Sequence, residues 1–170
     1  MKVLVTGNMG YVGSILIPML QSKGYEVVGY DSGYFADCLL SPLKENFKQI
    51  VNDIRNVSLE DLEGINAIIH LAGLSNDPLG ELMPGLTEEI NYGGTMKLAN
   101  LAKEAGIERF VYASSQSMYG ISDSTDELDE DLSSKNPITS YARTKWEAEV
   151  SLKELQSDNF FVVAFRPSTV

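Results

Sequence analysis

Three glycines spaced three residues apart follow the first apolar run of the chain and restrict its fold more than any other feature. The run Lys2–Thr6 is short and rich in β-branched residues, and Gly7, Gly10 and Gly13 come directly after it. The segment Tyr11–Ser22 then carries apolar residues at a helical spacing. A strand, a glycine-rich turn and a helix in this order are typical of a dinucleotide-binding βαβ unit.

Each glycine meets a physical requirement of such a turn. Gly7 permits the tight turn from strand to helix, Gly10 lets the backbone approach a pyrophosphate, and Gly13 lets the helix pack close to the sheet. The helix N-terminus offers free N–H groups and the positive end of its dipole to the phosphates. The spacing is GxxGxxG rather than the general GxGxxG, and the flanking strand and helix support the same interpretation.

Apolar β-rich runs alternate with helical patterns along the rest of the chain. The predicted strands are 2–6, 25–30, 47–51, 67–71, 109–113 and 160–165; the predicted helices are 11–22, a long segment in 81–105, and about 140–156. Strands that are apolar throughout and separated by helices predict a parallel sheet buried on both faces. Right-handed crossovers then give an α/β fold with a doubly wound, Rossmann-type sheet of at least six strands.

The composition excludes several classes of protein. The chain has 13 Lys and Arg against 24 Asp and Glu, so no basic face for nucleic acid is expected. The single cysteine, Cys38, excludes an internal disulfide and fits a reducing cytoplasm. Because His70 is the only histidine, no metal site built from Cys or His ligands is expected. No apolar run reaches the length of a membrane span, and no secretory signal is apparent, so we expect a cytoplasmic protein.

The residue that ends the second strand indicates which dinucleotide is bound. Asp31 can accept hydrogen bonds from the hydroxyl groups of an adenosine ribose and would repel a 2′-phosphate. No Lys or Arg follows it until Lys44, so no cation is at hand to bind that phosphate. The sequence therefore favours NAD over NADP.

A tyrosine and a lysine one helical turn apart form a candidate catalytic pair. Tyr141 and Lys145 lie in the segment YARTK, at a spacing that places both on one helical face. A phenol has an ordinary pKa near 10, and a nearby ammonium group would lower that pKa toward the range of a base at neutral pH. The fifth strand ends in serines at 114, 115 and 117, which could bind a reacting oxygen or simply cap the strand.

Taken together, these motifs resemble the extended short-chain dehydrogenase/reductases, and among them the NAD-dependent nucleotide-sugar epimerases and dehydratases. The matching segments stand in the family's order: VTGNMGYVG at 5–13, HLAG at 70–73, SSQSMYG at 114–120, YARTK at 141–145 and RPSTV at 166–170. The resemblance covers essentially the whole chain. It also implies that residues 1–170 form one NAD-binding domain and that the family's C-terminal substrate-binding part is absent.

The resemblance further implies roles for individual residues. Ser115 would be the catalytic hydroxyl, Tyr141 the base, and Lys145 both a modifier of its pKa and a ligand of the nicotinamide ribose. The residues implied to contact NAD are Gly7, Gly10, Tyr11, Val12, Gly13, Asp31, Asp53, Ile54, Leu71, Ala72, Gly73, Ser75, Asn91, Ser115, Tyr141, Lys145, Pro167 and Ser168. No metal is implied. We interpret His70 as a buried strand-end histidine in preference to a catalytic group.

The implied function is nucleotide-sugar epimerisation through transient hydride transfer. Two alternatives stay open: a nucleotide-sugar dehydrogenase/reductase or 4,6-dehydratase, and a non-catalytic NAD-sensing regulator on the same fold. The family's 4,6-dehydratases carry acidic residues just after the catalytic hydroxyl, whereas Gln116 and Ser117 stand there in this chain. A homodimer is implied through the helices of 81–105 and 140–156, which have further apolar residues at Leu86, Ala99, Trp146 and Val150.

Overall fold

The computed structural model of the protein describes residues 1–38, 47–75, 77–121 and 127–168, and these form one six-stranded parallel sheet with helices on both faces. The strands are β1 (Lys2–Thr6), β2 (Glu26–Asp31), β3 (Lys48–Val51), β4 (Ala67–His70), β5 (Arg109–Ala113) and β6 (Phe161–Phe165). Their order is β3-β2-β1-β4-β5-β6, and every neighbouring pair is parallel. The predicted doubly wound α/β fold is confirmed.

The order of the strands places the ligand crevice. The chain leaves β1 toward β2 and β3 on one side, and later returns to the other side of β1 with β4, β5 and β6. Ligands of such sheets bind beyond the carboxyl ends of the strands, at the point where the order reverses. Here that point lies between β1 and β4, so the turn after β1 and the loop after β4 face each other.

The helices cover the two faces unequally. They are α1 (Tyr11–Ser22), α2 (Asp77–Leu82), α3 (Pro84–Glu88), α4 (Thr95–Glu104) and α5 (Ser140–Leu155), with a π-helix over Glu89–Gly94. The larger core lies under α4 and α5, where Leu98, Phe110, Tyr112 and Leu152 are fully buried. A smaller core under α1 joins Ile17 to Val3, Val5, Val27 and Ala67.

The long helix expected within 81–105 is broken. α2 ends at Leu82, Met83 adopts a non-helical conformation, and α3 begins at Pro84. Proline cannot donate a backbone hydrogen bond and disfavours helical geometry at the residue before it, which explains the break. Beyond α3 the chain widens into the π-helix before continuing as α4.

β6 lies at one edge of the sheet and exposes one of its faces. Val162 and Ala164 pack against the larger core, whereas Phe161, Val163 and Phe165 are 52%, 57% and 39% exposed. None of the helices within the described ranges has the length and hydropathy needed to cross a bilayer.

Candidate active site

The glycine turn after β1 has no space for a side chain at Gly7 or Gly13. Gly7 has a φ of +69°, and a Cβ atom there would lie 2.7 Å from the backbone nitrogen of Ala72 in the loop after β4. A Cβ atom on Gly13 would collide with the carbonyl oxygen of Gly7. Gly10 caps α1 without any side-chain hydrogen bond, and the first turn of α1, which starts at Tyr11 and Val12, holds no acidic residue. Its free N–H groups and open backbone surface fit a pyrophosphate.

Asp31 ends β2 beside this turn. Its carboxylate accepts hydrogen bonds from the backbone nitrogen of Met9, at 3.0 Å, and from that of Gly33, at 2.9 Å. It therefore lies between the glycine turn and the turn that follows β2. This is the placement that the sequence predicted for a group that binds the ribose.

The position of Asp31 predicts a preference for NAD. A 2′-phosphate on the ribose would bring two negative charges toward a carboxylate, and such repulsion disfavours binding. We expect NADP to bind at least tenfold more weakly than NAD in calorimetric titrations, and Asp31→Ala to narrow the difference. Equal or tighter binding of NADP by the unaltered protein would contradict the assignment.

Asp53 and Ile54 follow β3, at the same carboxyl end of the sheet, and their surroundings differ. Asp53 is paired with Arg55 at 2.7 Å, and hydrogen bonds from Arg55 hold the pKa of that carboxyl below its usual value. Ile54 is buried, and a Cβ atom on Gly94 of the π-helix would lie 2.8 Å from its side chain. The contact of both residues with adenine stays a prediction.

The loop after β4 is fastened to the π-helix by Asn91. The buried side-chain amide of Asn91 accepts a hydrogen bond from the backbone nitrogen of Leu74 at 2.8 Å and donates one to its carbonyl oxygen at 3.0 Å. Gly73 lies so close that a Cβ atom there would be 3.0 Å from the Asn91 oxygen. The loop holding Leu71, Ala72 and Gly73 is thus fixed next to the glycine turn, while Ser75 is exposed.

Ser115, Tyr141 and Lys145 come together at the carboxyl end of β5. Ser115 follows the strand, is 6% exposed, and caps a short 3₁₀-helix by accepting a hydrogen bond from the backbone nitrogen of Ser117 at 3.1 Å. Tyr141 stands in the first turn of α5, and Lys145 lies one turn later. The Lys145 Nζ donates to the Ala113 carbonyl at 2.8 Å and lies over the ring of Tyr141, 5.9 Å from its centre.

The electrostatics of the pair differ from the sequence-based expectation. Burial raises the pKa of the Tyr141 phenol; a hydrogen bond with Ser115 opposes this shift, and the Asp77 carboxylate adds to it. The Lys145 ammonium group is hydrogen-bonded to the Ala113 carbonyl rather than to the phenol, so its lowering of the Tyr141 pKa stays a prediction. Burial instead lowers the pKa of Lys145 to about 8.

The N-terminus of α5 is held by groups outside the motif. The Thr139 hydroxyl accepts a hydrogen bond from the backbone nitrogen of Ala142 at 3.1 Å, as a helix cap does. Glu81 of α2 accepts one from the backbone nitrogen of Ser140 at 2.7 Å, which holds the pKa of Glu81 below its usual value. Tyr141 is therefore set at a helix end with fixed geometry.

His70 is buried at the end of β4, as the sequence predicted. Its Nδ1 lies 2.6 Å from the Thr6 hydroxyl, which accepts from the backbone nitrogen of Ala72 and is free to donate its own proton to the ring. Its Nε2 lies 2.8 Å from the Thr95 hydroxyl, which donates to the Asn91 carbonyl and so accepts from the ring. These directions assign the neutral ring with its proton on Nε2, and link β1 to the π-helix.

Because His70 is the only histidine, the pH dependence of folding tests this network. Burial, and then the charge of Lys145, lower the pKa of His70 from 6.5 to about 3. Between pH 3 and 6.5 the folded state therefore binds fewer protons than the unfolded state. Stability should fall as the pH drops below 6.5, by about 1.4 kcal/mol per pH unit. We expect the urea midpoint of His70→Gln to change less between pH 7 and 5 than that of the unaltered protein. If the midpoints of both proteins changed equally with pH, the network would be contradicted.

One carboxylate of α5 joins the three segments that carry the predicted site residues. Glu149 accepts a hydrogen bond from the Ser114 hydroxyl, next to Ser115, and pairs with Arg166 at 2.5 Å, just after β6. Both charged side chains are only 13% exposed. Arg166 also donates to the Tyr119 hydroxyl at 2.6 Å. Sequence reasoning missed this pair, although Glu149 is two helical turns beyond Tyr141.

The remaining positions predicted from the sequence, Pro167 and Ser168, follow the carboxyl end of β6. Pro167 accepts a hydrogen bond from the backbone nitrogen of Gln116 at 3.3 Å, which ties the end of β6 to the site, and Ser168 follows it, exposed. The last two residues of the RPSTV motif, Thr169 and Val170, are outside the described residues. Within residues 1–38, 47–75, 77–121 and 127–168, no cluster of three acidic, histidine or cysteine residues is arranged to hold a metal ion.

Several known proteins resemble this chain in sequence and fold. The mouse dTDP-D-glucose 4,6-dehydratase is 32% identical over 99% of this chain and 50% of its own length. A UDP-glucose 4-epimerase of Klebsiella pneumoniae is 37% identical over 71% of this chain and 93% of its own length. The structure of MoeE5 in complex with UDP-glucuronic acid and NAD superposes with a TM-score of 0.84, at 30% identity, over 98% of this chain and 54% of that one.

The chain thus spans about half the length of the mouse relative and of MoeE5. The sequence model of the NAD dependent epimerase/dehydratase family matches residues 3–170. That match covers the glycine turn, the loop after β4 and all three residues gathered at the end of β5. The chain belongs to the NAD-dependent epimerase/dehydratase family.

Proposed function

We propose that the protein is an NAD-dependent epimerase-like oxidoreductase that acts on a nucleotide sugar through transient oxidation of a sugar hydroxyl carbon. The observation that carries the proposal is that Ser115, Tyr141 and Lys145 lie together at the carboxyl ends of the strands, where the glycine turn also lies. NAD is the family's cofactor. The proposed substrate class follows the family and MoeE5, whose structure holds UDP-glucuronic acid.

The proposed mechanism assigns each group a task. When bound, NAD supplies the acceptor and donor of hydride for the sugar carbon. Tyr141 takes the proton from the sugar hydroxyl and returns it, and the Ser115 hydroxyl holds the reacting oxygen by a hydrogen bond. Lys145 contributes a buried positive charge beside the phenol and the nicotinamide ribose. The glycine turn holds the pyrophosphate, and Asp31 the adenosine ribose.

The residues after Ser115 support epimerisation over 4,6-dehydration. Elimination of water from a keto-sugar needs a base at the carbon next to the carbonyl and an acid for the leaving hydroxyl. Gln116 and Ser117 can serve as neither. The charge of Asp77, at the start of α2, contributes to the raised pKa of Tyr141, so Asp77 is the candidate acid if the protein catalyses dehydration instead.

The experiment that tests the proposal follows the fate of the sugar hydrogens. The full-length protein is incubated with nucleotide hexoses in D₂O, and the products are analysed by NMR. Epimerisation through returned hydride gives an epimer without solvent deuterium, and a 4-keto-6-deoxy product with deuterium at C5 would show dehydration instead. NADH released in proportion to an oxidised sugar would indicate a dehydrogenase, and no turnover of any substrate would favour an NAD-sensing regulator.

The assembly is part of the proposal. We propose that residues 1–170 form one NAD-binding domain and that the protein is a cytoplasmic homodimer, which its single cysteine and the family's helix pairing support. Val150 on α5 is 37% exposed, and Trp146 is half-buried next to it. Ala99 was expected to contribute, but it is fully buried in the larger core and cannot contact a partner.

A further inference from the structure

The second residue of the glycine turn forms a buried contact that none of the site motifs explains. Asn8 is 0% exposed, and its side-chain amide lies next to Gly29 of β2. Its Nδ2 donates to the Gln49 Oε1 at 2.7 Å, and the Gln49 Nε2 donates back to the Asn8 Oδ1 at 3.3 Å. This reciprocal amide pair connects the turn after β1 to β3, across β2.

A glycine in β2 makes room for the pair. Val5, Gly29 and Gln49 lie side by side on β1, β2 and β3, so they occupy one row across the sheet. A Cβ atom on Gly29 would collide with the Gln49 oxygen and lie 2.6 Å from the Asn8 nitrogen. The space that a side chain of β2 would fill is therefore taken by the two amides.

The pair directly connects two parts of the predicted NAD site that lie on either side of β2. The glycine turn faces the pyrophosphate, and β3 leads into Asn52 and Asp53 on the adenine side. β3 is a four-residue edge strand whose residues are no better than half-buried, so little apolar packing fixes its position. The backbone of the neighbouring Met9 is held by Asp31, so the turn is secured at two adjacent residues, once by β2 and once by β3.

We propose that Asn8 and Gln49 are positioning residues for NAD, which set the distance between the glycine turn and the adenine-facing end of β3. Neither side chain touches the cofactor in this role. Breaking the pair lets β3 and the turn move independently, so that NAD must restore their arrangement when it binds. The inference rests on the NAD binding included in the proposed function, and it does not depend on which reaction follows.

The test is a double-mutant cycle read by NAD affinity. Asn8→Ala, Gln49→Ala and the double variant are titrated with NAD by calorimetry, after circular dichroism has shown that each is folded at the working temperature. We expect each single variant to bind NAD about tenfold more weakly, because part of the binding free energy then goes into restoring the arrangement of the turn and β3. The double variant should bind no more weakly than either single variant, because the pair acts as a unit.

Controls separate positioning from general stability. Asn100→Ala removes an exposed amide that bonds within α4, and it should leave NAD affinity unchanged. If Asn8→Ala fails to fold, Gln49→Ala breaks the same pair from a half-buried position on β3, together with a bond from the Gln49 Nε2 to the Ile50 carbonyl. Folded variants with unaltered NAD affinity would overturn the inference and leave the proposed function standing. The same holds if the losses of NAD affinity in the two single variants simply add in the double variant. An unaltered protein that bound no NAD would overturn the proposed function with it.

Discussion

Replacing Tyr141 by phenylalanine is expected to lower turnover by about 10²–10⁴-fold while NAD binding stays close to that of the unaltered protein. The ring remains and fills the same half-buried space at the start of α5, so the packing is preserved. Only the hydroxyl is lost, and this is the group that we propose takes the proton of the sugar and returns it. Steady-state kinetics with a nucleotide sugar that the unaltered protein turns over, together with calorimetric NAD titration, measure the two effects separately.

A matched tyrosine controls for the substitution itself. Tyr25 lies just before β2, at the opposite end of the sheet from the site, and Tyr25→Phe should keep full turnover. If Tyr141→Phe retained activity similar to that of Tyr25→Phe, Tyr141 would not be the proton-transfer group. A loss of NAD affinity comparable to the loss of turnover would instead indicate that the hydroxyl serves the cofactor.

Replacing Glu149 by alanine is expected to lower the free energy of unfolding by about 3 kcal/mol, because it leaves the Arg166 guanidinium largely buried without its carboxylate. The change also removes the partner of Ser114, next to Ser115. Urea unfolding followed by circular dichroism measures the loss. Glu147→Ala, at an exposed position two residues earlier on α5, should change stability by less than about 0.5 kcal/mol.

A second substitution distinguishes loss of an ion pair from loss of packing. Arg166→Met combined with Glu149→Ala removes both charges, so no buried cation is left unpaired, and the double variant should be more stable than Glu149→Ala alone. If the double variant were less stable than the unaltered protein by the sum of the losses caused by Glu149→Ala and Arg166→Met separately, the two side chains would contribute independently. The stabilising role assigned to the ion pair would then be wrong.

The strands, α1 and the glycine turn could be predicted closely from the sequence, because each depends on residues that are neighbours in the chain. The apolar run before Gly7 and the helical spacing after it are local signals, and α1 begins and ends at the predicted residues, 11 and 22. The break at Met83 also had a local signal, since Pro84 follows it, but the helical pattern on both sides hid it.

The contacts that organise the site could not be predicted in this way. Glu149 and Arg166 meet because α5 packs beside the end of β6, and Asn8 meets Gln49 because Gly29 leaves a gap in the strand between them. Each pair joins elements that are distant in sequence, and periodicity carries no signal for such contacts. The raised pKa of Tyr141 likewise depends on burial, which only the assembled site determines.

The exposed face of β6 has a consequence for handling the protein. An edge strand with apolar side chains on one face invites strand pairing with another molecule, which is the first step of β-type aggregation. Phe161, Val163 and Phe165 form such a stripe, and no charged residue lies within β6 to oppose it. The net charge of −11 repels other copies at low ionic strength, so high salt, which screens that repulsion, should promote precipitation of the 170-residue chain through this edge.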